Sequence, residues 1–265
     1  MLVSVIMSVY NAESTLSNAI ESILHQSMTD FEFIIIDDGS SDRSLEIICN
    51  YQIKDKRIRI LKNKTNIGLT KTLNKAIQVT VGKYIARQDA DDISLLNRLQ
   101  KQLNFLENNE DYIFCGTNGF RKQNNQELLK FFNFHNIKNN LILKNCFAHP
   151  SIMIRNEMFT KYGFYDEKYR YAQDYELWCR LIYKHNLKAK NLKEKLIIMN
   201  IPNESLLEKN HRKLFYQRLN GIKIKLKYYN KSPRKIMCLI SIIRAILEIF
   251  IVVFSNIYLK IVLRV

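Results

Sequence analysis

The sequence predicts an α/β protein built on a largely parallel sheet with helices on its faces. Two observations carry that expectation. Short apolar runs alternate with segments of helical period through the first ninety or so residues, the pattern of strand-helix-strand crossovers. Polar or acidic turns follow those runs at residues 8–10, 37–38 and 89–91, where strands would end. Parallel sheets bind ligands at the carboxyl ends of their strands, so these turns are placed to share one site.

The elements follow in order. Residues 2–8 are an apolar run and read as the first strand. Residues 14–25 carry Leu16, Ala19, Ile20, Ile23 and Leu24 at helical spacing. Residues 31–36 form a second strand that ends at Asp37-Asp38-Gly39-Ser40, and Asp42 suits the cap of a helix to residue 51. A third strand over 58–61, a turn at Asn66-Ile67-Gly68, a helix over 69–79 and a fourth strand over 84–87 complete the regular half. The second half is less regular. Its pattern predicts a helix over 97–108, a strand over 112–116, a polar loop over 121–126 and helices over 128–134 and 137–144. A short strand over 151–154 follows His149-Pro150, then a helix over 172–183 and a last strand over 195–199. The expected organisation is one domain in two halves, 1–110 and 111–205, with a tail over 206–265.

The net charge of +16 is uneven: from residue 209 onward there are thirteen Lys/Arg and one acid, Glu248. The chain is therefore a nearly balanced body with a basic tail. Five scattered cysteines without a C-x-x-C pair argue against a disulfide framework or a zinc site and for a reducing compartment. The first residues lack a basic region and a small-residue cleavage site, so they read as a strand and not as a signal peptide.

Asp89-Ala90-Asp91-Asp92 directly follows the fourth apolar run. Carboxylates at i and i+2 in a loop can reach one hard cation such as Mg²⁺ or Mn²⁺, which fills its other positions with substrate phosphates. The same run also reads as a solvated acidic turn. A calcium loop is excluded, because Ser94 stands at the sixth position and Gln100 at the twelfth. Asp37-Asp38-Gly39-Ser40 offers a carboxylate to a pyrimidine ring N–H, or simply a tight turn.

Taken together, Val3-Ser4-Val5-Ile6-Met7-Ser8-Val9-Tyr10-Asn11, Asp37-Asp38-Gly39-Ser40, Arg87-Gln88-Asp89-Ala90-Asp91-Asp92 and Gln173-Asp174-Tyr175-Glu176-Leu177-Trp178 occur in that order. The chain resembles the family 2 inverting glycosyltransferases of GT-A fold over about residues 2–200, and within them the bacterial exopolysaccharide, capsule and O-antigen (amylovoran-type) enzymes. The resemblance implies that Ser8 and Tyr10 line a uracil pocket, Tyr10 stacking on the base, and that Asp38 hydrogen-bonds the uracil ring. It implies that Asp89 contacts the ribose or the metal shell and that Asp91 ligates Mn²⁺ or Mg²⁺ across the diphosphate of a nucleotide sugar. Asp174 matches the catalytic base of a Glu-Asp pair that here reads Gln173-Asp174. His149, in Ala148-His149-Pro150-Ser151, matches a recurrent loop and is a candidate phosphate contact, or a polar residue fixing the turn before Pro150. The Gln-x-x-Arg-Trp signature of processive synthases is absent, which favours addition of a single sugar. Two rival readings fit the residues less well. A sugar-phosphate nucleotidyltransferase would want a Gly-rich, Arg-containing loop after the first strand, which Ser8-Val9-Tyr10-Asn11-Ala12 is not. A non-catalytic membrane-bound scaffold is opposed by the intact acidic residues.

Residues 236–254 are apolar except for Ser241, Arg244 and Glu248, which share one helical face, and a basic cluster precedes them. The pattern predicts peripheral or re-entrant attachment to the anionic cytoplasmic face of the cell membrane through residues 223–265. The expected acceptor is a lipid-linked oligosaccharide. Nucleic acid is not an expected partner, since no aromatic-basic module accompanies the cluster.

Overall fold

The computed structural model describes residues 1–123, 126–130, 136–200 and 211–262. Strands β1 (Val3–Val9), β2 (Phe31–Asp37), β3 (Ile58–Lys62) and β4 (Tyr84–Asp89) alternate with helices α1 (Leu16–Leu24), α2 (Ser44–Lys54) and α3 (Leu69–Gln78). All four strands are parallel, with β1 between β2 and β4. The chain thus runs outward from β1 to β3 and then returns to pair β4 on the other side of β1. That reversal opens a crevice at the carboxyl ends of β1 and β4.

The remaining strands are β5 (Ile93–Ser94), β6 (Tyr112–Gln123), β7 (Gln126–Lys130), β8 (Met153–Arg155) and β9 (Lys188–Asn200). They extend the sheet in the order β3-β2-β1-β4-β8-β6-β9-β5, with β7 paired to β6. Strand β8 is antiparallel to both neighbours, while β6 and β9 run parallel. The intervening helices are α4 (Arg98–Glu107), α5 (Ile137–Asn140), α6 (Glu157–Tyr162) and α7 (Gln173–Cys179), the last continuing into a π-helical turn at Arg180–Lys184. Two long helices follow, α8 (His211–Tyr228) and α9 (Lys235–Val262), linked through a short 3-10 turn at Tyr229–Lys231.

Alternation along β1 sends Val3, Val5, Met7 and Val9 to a core shared with α1 and α4. Ile6 points the other way, into a second core built from α3, α7 and the aromatic cluster Phe114, Phe147 and Trp178. Asp42 helps to open α2, because its Oδ1 accepts from the Ser44 amide at 3.0 Å.

The second half departs from expectation in three places. The polar stretch read as a loop over 121–126 is the end of β6 and the start of β7, paired as a hairpin with Gln123 opposite Gln126. Residues 126–130, the start of the helix expected over 128–134, form a strand, and 131–134 lie outside the described residues. A short apolar pair such as Leu128-Leu129 serves either period, and the neighbouring edge of β6 decides. Strand β9 begins seven residues before the expected start at 195, its early part obscured by five charged side chains between Lys188 and Lys195. The short elements β5 and α6 had no clear sequence signal.

The segment read as a tail is not separate from the body. Ile222, Ile224 and Tyr228 of α8 and Cys238 and Ile242 of α9 are buried in the same core as Trp178. Between residues 236 and 250, α9 leaves an apolar surface uncovered, with Ile236, Ile240, Ile243, Leu247 and Phe250 all half exposed or more. Glu248 pairs with Arg244, as its spacing predicts, and also with Arg218 of α8. Among the described residues no helix is long and apolar enough to cross a membrane.

Candidate active site

The floor of the crevice is built by loops that leave parallel strands and brace one another. After β1, Tyr10 is 51% exposed and Asn11 takes a left-handed backbone (φ 49°), a conformation asparagine tolerates. The Asn11 side-chain oxygen accepts from the Ser41 amide at 2.8 Å, and its own amide donates to Ser40 Oγ at 3.1 Å. Thr15 Oγ1 donates to the Ala90 carbonyl at 3.0 Å, tying this loop to the acidic run.

Asp38 is buried beneath the loop that follows β3. Its Oδ1 accepts from Asn63 Nδ2 at 2.8 Å and the Ile67 amide at 3.0 Å, and its Oδ2 accepts from the Gly68 amide at 3.0 Å. Three protein donors occupy a carboxylate that can accept about four, so capacity for one further donor remains. Gly39 beside it has φ 72°, and a Cβ there would lie 2.7 Å from the Thr65 carbonyl carbon. Only glycine fits that approach.

The acidic run closes the end of β4. One carboxylate oxygen each from Asp89, Asp91 and Asp92 lies within 4.8 Å of the others. The Arg87 guanidinium grips both oxygens of Asp89. Gln88 Nε2 donates to the Asp92 carbonyl at 2.7 Å, and Ser94 Oγ donates to Gln88 Oε1 at 2.6 Å, so the loop is fixed from below. Burial, then the charges of Asp89 and Asp91, push the Asp92 carboxyl up to about 9. Enclosure and Asp89 push Asp91 up as well. Three hard oxygen donors at this spacing fit Mg²⁺ or Mn²⁺. The upward pushes are those of crowded carboxylates whose repulsion a divalent cation would relieve. Asp92 was not among the metal candidates of the sequence, although the signal was there in the consecutive acids Asp91-Asp92.

The facing wall comes from the second half. His149 Nε2 lies 2.8 Å from the Tyr165 hydroxyl, and burial together with the nearby Arg87 charge holds the imidazole well below its usual range and therefore neutral. Ala172 adopts a left-handed backbone (φ 60°) and turns the chain into α7, whose second residue is Asp174. Asn145 Nδ2 donates to Asp174 Oδ2 at 2.6 Å. Burial raises the Asp174 carboxyl, opposed by the Tyr175 amide and the Arg87 charge.

A single cavity of about 1100 Å³ collects these groups. Ser8, Tyr10, Asp38, Asp89, Asp91, His149 and Asp174 all line it, so every sequence-nominated residue reaches one site. Gln173 lines it too. Sequence reasoning missed Arg170, Asn200, Lys213 and Gln217 on the same lining. Lys213 and Gln217 belong to α8 and had been read as part of a basic tail without a motif. Asn200 could not be foreseen, since its amide reaches Asp92 Oδ1 at 3.1 Å across 108 residues.

A parallel sheet with a switch point, an acidic cluster at the end of β4 and a half-buried carboxylate on the same cavity define a nucleotide-sugar transferase of GT-A type. The chain matches the glycosyl transferase family 2 model over residues 4–164, more than half its length, and belongs to that family. It is 40% identical over 209 residues to an uncharacterized glycosyltransferase of Methanocaldococcus jannaschii, covering 76% of this chain and 71% of that protein. It is 31% identical over 193 residues to the Escherichia coli UDP-Glc:alpha-D-GlcNAc-diphosphoundecaprenol beta-1,3-glucosyltransferase WfgD, covering 72% of this chain and 73% of that protein. The fold is shared with the mannosyltransferase PcManGT of Pyrobaculum calidifontis in complex with GDP-Man and Mn²⁺, at a TM-score of 0.67 and 14% identity over 92% of this chain and 73% of the other. The protein is a glycosyltransferase.

Proposed function

We propose that the protein moves one sugar from a nucleotide donor, a UDP-sugar, to a lipid-linked oligosaccharide during surface polysaccharide biosynthesis, with inversion at the transferred carbon. The observation that carries this reading is the meeting in one cavity of Asp174 with Asp89 and Asp91, which cluster with Asp92 beside it. The name of WfgD supports a UDP donor and a diphosphate-linked lipid acceptor.

Asp89, Asp91 and Asp92 would hold Mn²⁺ or Mg²⁺, which when bound neutralises charge on the departing diphosphate. Asp174 accepts the proton of the acceptor hydroxyl, and Asn145 orients its carboxylate for that step. Tyr10, exposed at the crevice, offers a ring face to the uracil, while Asp38 has one acceptor position left for the ring N–H. His149, neutral, offers one hydrogen bond to a phosphate without adding charge. In this reading the exposed apolar surface of α9 and the basic residues before it rest on the anionic cytoplasmic membrane face, where a lipid-linked acceptor resides.

The test is thermal stabilisation by a panel of nucleotide sugars with and without Mn²⁺, on the natural chain and on Asp91→Ala. The reading expects a UDP-sugar to stabilise only with metal, and Asp91→Ala to abolish the effect and turnover. Full activity in excess chelator would falsify it.

A further inference from the structure

The acidic loop and the His149 turn are both held from behind by α4, which does not line the cavity. Arg98 opens this helix and is fully buried. Its Nη1 donates to the Arg87 carbonyl at 2.9 Å and to the Pro150 carbonyl at 2.6 Å. Arg87 stands two residues before Asp89 and grips its carboxylate, and Pro150 directly follows His149. One turn along, the buried Gln102 donates from Nε2 to the Ser151 carbonyl at 2.8 Å and the Cys115 carbonyl at 3.1 Å. The buried face of α4 therefore bridges the end of β4 and the turn that carries His149.

Stability alone does not account for an arginine here. Its Nε and Nη2 have no hydrogen-bond partner among the described residues. A buried guanidinium with unpaired donors costs more than an apolar residue of similar volume. What an apolar residue would not do is hold two backbone carbonyls from loops sixty-three residues apart, 87 and 150, on one nitrogen.

We propose that Arg98 is a positioning residue that sets the spacing between the acidic loop and the His149 turn, keeping the two parts of the site that face the diphosphate in register. The proposal rests on the cavity being a nucleotide-donor site.

The test uses the full chain with uridine and UDP plus Mn²⁺ as probes, binding read by calorimetry and the His149 turn read by tryptophan emission. Trp178 is the single tryptophan, and its ring lies 6.2 Å from that of His149 and 6.0 Å from that of Phe147. Arg98→Met should weaken Mn²⁺-dependent UDP binding roughly 10–100-fold, as loss of a partner behind a metal ligand does, while uridine binding stays within about twofold. The Trp178 emission should shift. Arg98→Lys, which keeps the charge and can reach the same carbonyls, should recover most of both. Equal loss for uridine and UDP, no loss for either, or an unchanged Trp178 emission overturns the proposal. If circular dichroism shows that Arg98→Met does not fold, Arg98→Gln is read against the same outcomes. Failure of the natural chain to bind either probe refutes the donor-site reading instead, and the Trp178 shift with its rescue by lysine then decides the bracket alone.

Discussion

Glu176 Oε1 accepts a hydrogen bond from Lys227 Nζ at 3.0 Å, across fifty-one residues. The same carboxylate is 1% exposed and also receives the Tyr228 hydroxyl at 3.1 Å and Arg180 Nε at 3.2 Å. It lies two residues past Asp174, so the helix that presents the candidate base is bolted to α8. Glu176→Ala strands three donors in or near the core and should lower stability by about 3 kcal/mol. Lys227→Met, at a half-exposed partner, should cost under about 1 kcal/mol. Urea denaturation of the two variants checks the ordering. A chain ending at residue 210 should unfold, because it also loses Ile222, Ile224, Tyr228, Cys238 and Ile242 from the core.

Asp174 sets a pH dependence. Burial raises its pKa in the folded chain. Once pH passes the unfolded value of about 3.9, the folded state binds more protons than the unfolded one. Its contribution to stability therefore falls as pH rises from that value through the folded pKa. Asp174→Asn removes the penalty, so the variant should melt higher than the natural chain at pH 7 and lose that advantage below about pH 3.9. Its kcat should drop roughly two to four orders of magnitude with donor affinity nearly unchanged. In the natural enzyme the acidic limb of kcat should lie above the ordinary carboxylate range. Loss of donor binding in Asp174→Asn, with turnover kept at saturation, would move the base elsewhere.

Lys213 tests the role of α8 in the site. It lines the cavity, and its charge acts on Asp91. Lys213→Gln should weaken Mn²⁺-dependent UDP binding by a factor of roughly three to ten, as loss of one exposed cationic phosphate contact does, with uridine unaffected. The difference should shrink in high salt. Calorimetry with both ligands at two salt concentrations measures it, and an equal effect on uridine would assign Lys213 to the base or ribose.

The uncovered face of α9 is the fourth point. Ile240→Asp with Ile243→Asp places two charges on a surface that is about half exposed in the natural chain, so the fold should tolerate them. Sedimentation with vesicles containing anionic lipid should show loss of binding in the double variant. Binding of the natural chain should weaken with salt without vanishing, because apolar insertion is not screened. Equal sedimentation of both proteins would remove α9 from the membrane.

The first ninety residues were legible because each strand there is a single apolar run and each catalytic turn follows it directly. Asp89 and Asp91 could be nominated from spacing, and Asp174 from its order along the chain. Asn145 and Asn200 were not legible, because each acts through a contact made across the chain and carries no local pattern. Lys213 was hidden for a different reason: its charge was absorbed into a basic average over residues 209–265 that mixes a cavity-lining helix with an exposed apolar one. The hairpin of β6 and β7 escaped because a polar run precedes a leucine pair, Leu128-Leu129, that satisfies two periods equally.

The strand order β3-β2-β1-β4 has an evolutionary consequence. Uracil, ribose and the cation that neutralises the diphosphate are assigned above to residues from one uninterrupted stretch, Ser8 to Asp92, whereas Asn145, Arg170 and Asp174 arrive from a later stretch with antiparallel and irregular connections. Drift in the later stretch can change what is glycosylated without disturbing how the activated sugar is held. Lineages with one kind of donor and many kinds of glycan are the expected outcome of such a division, and exchange of residues 93–200 between relatives is the natural way to redirect the enzyme.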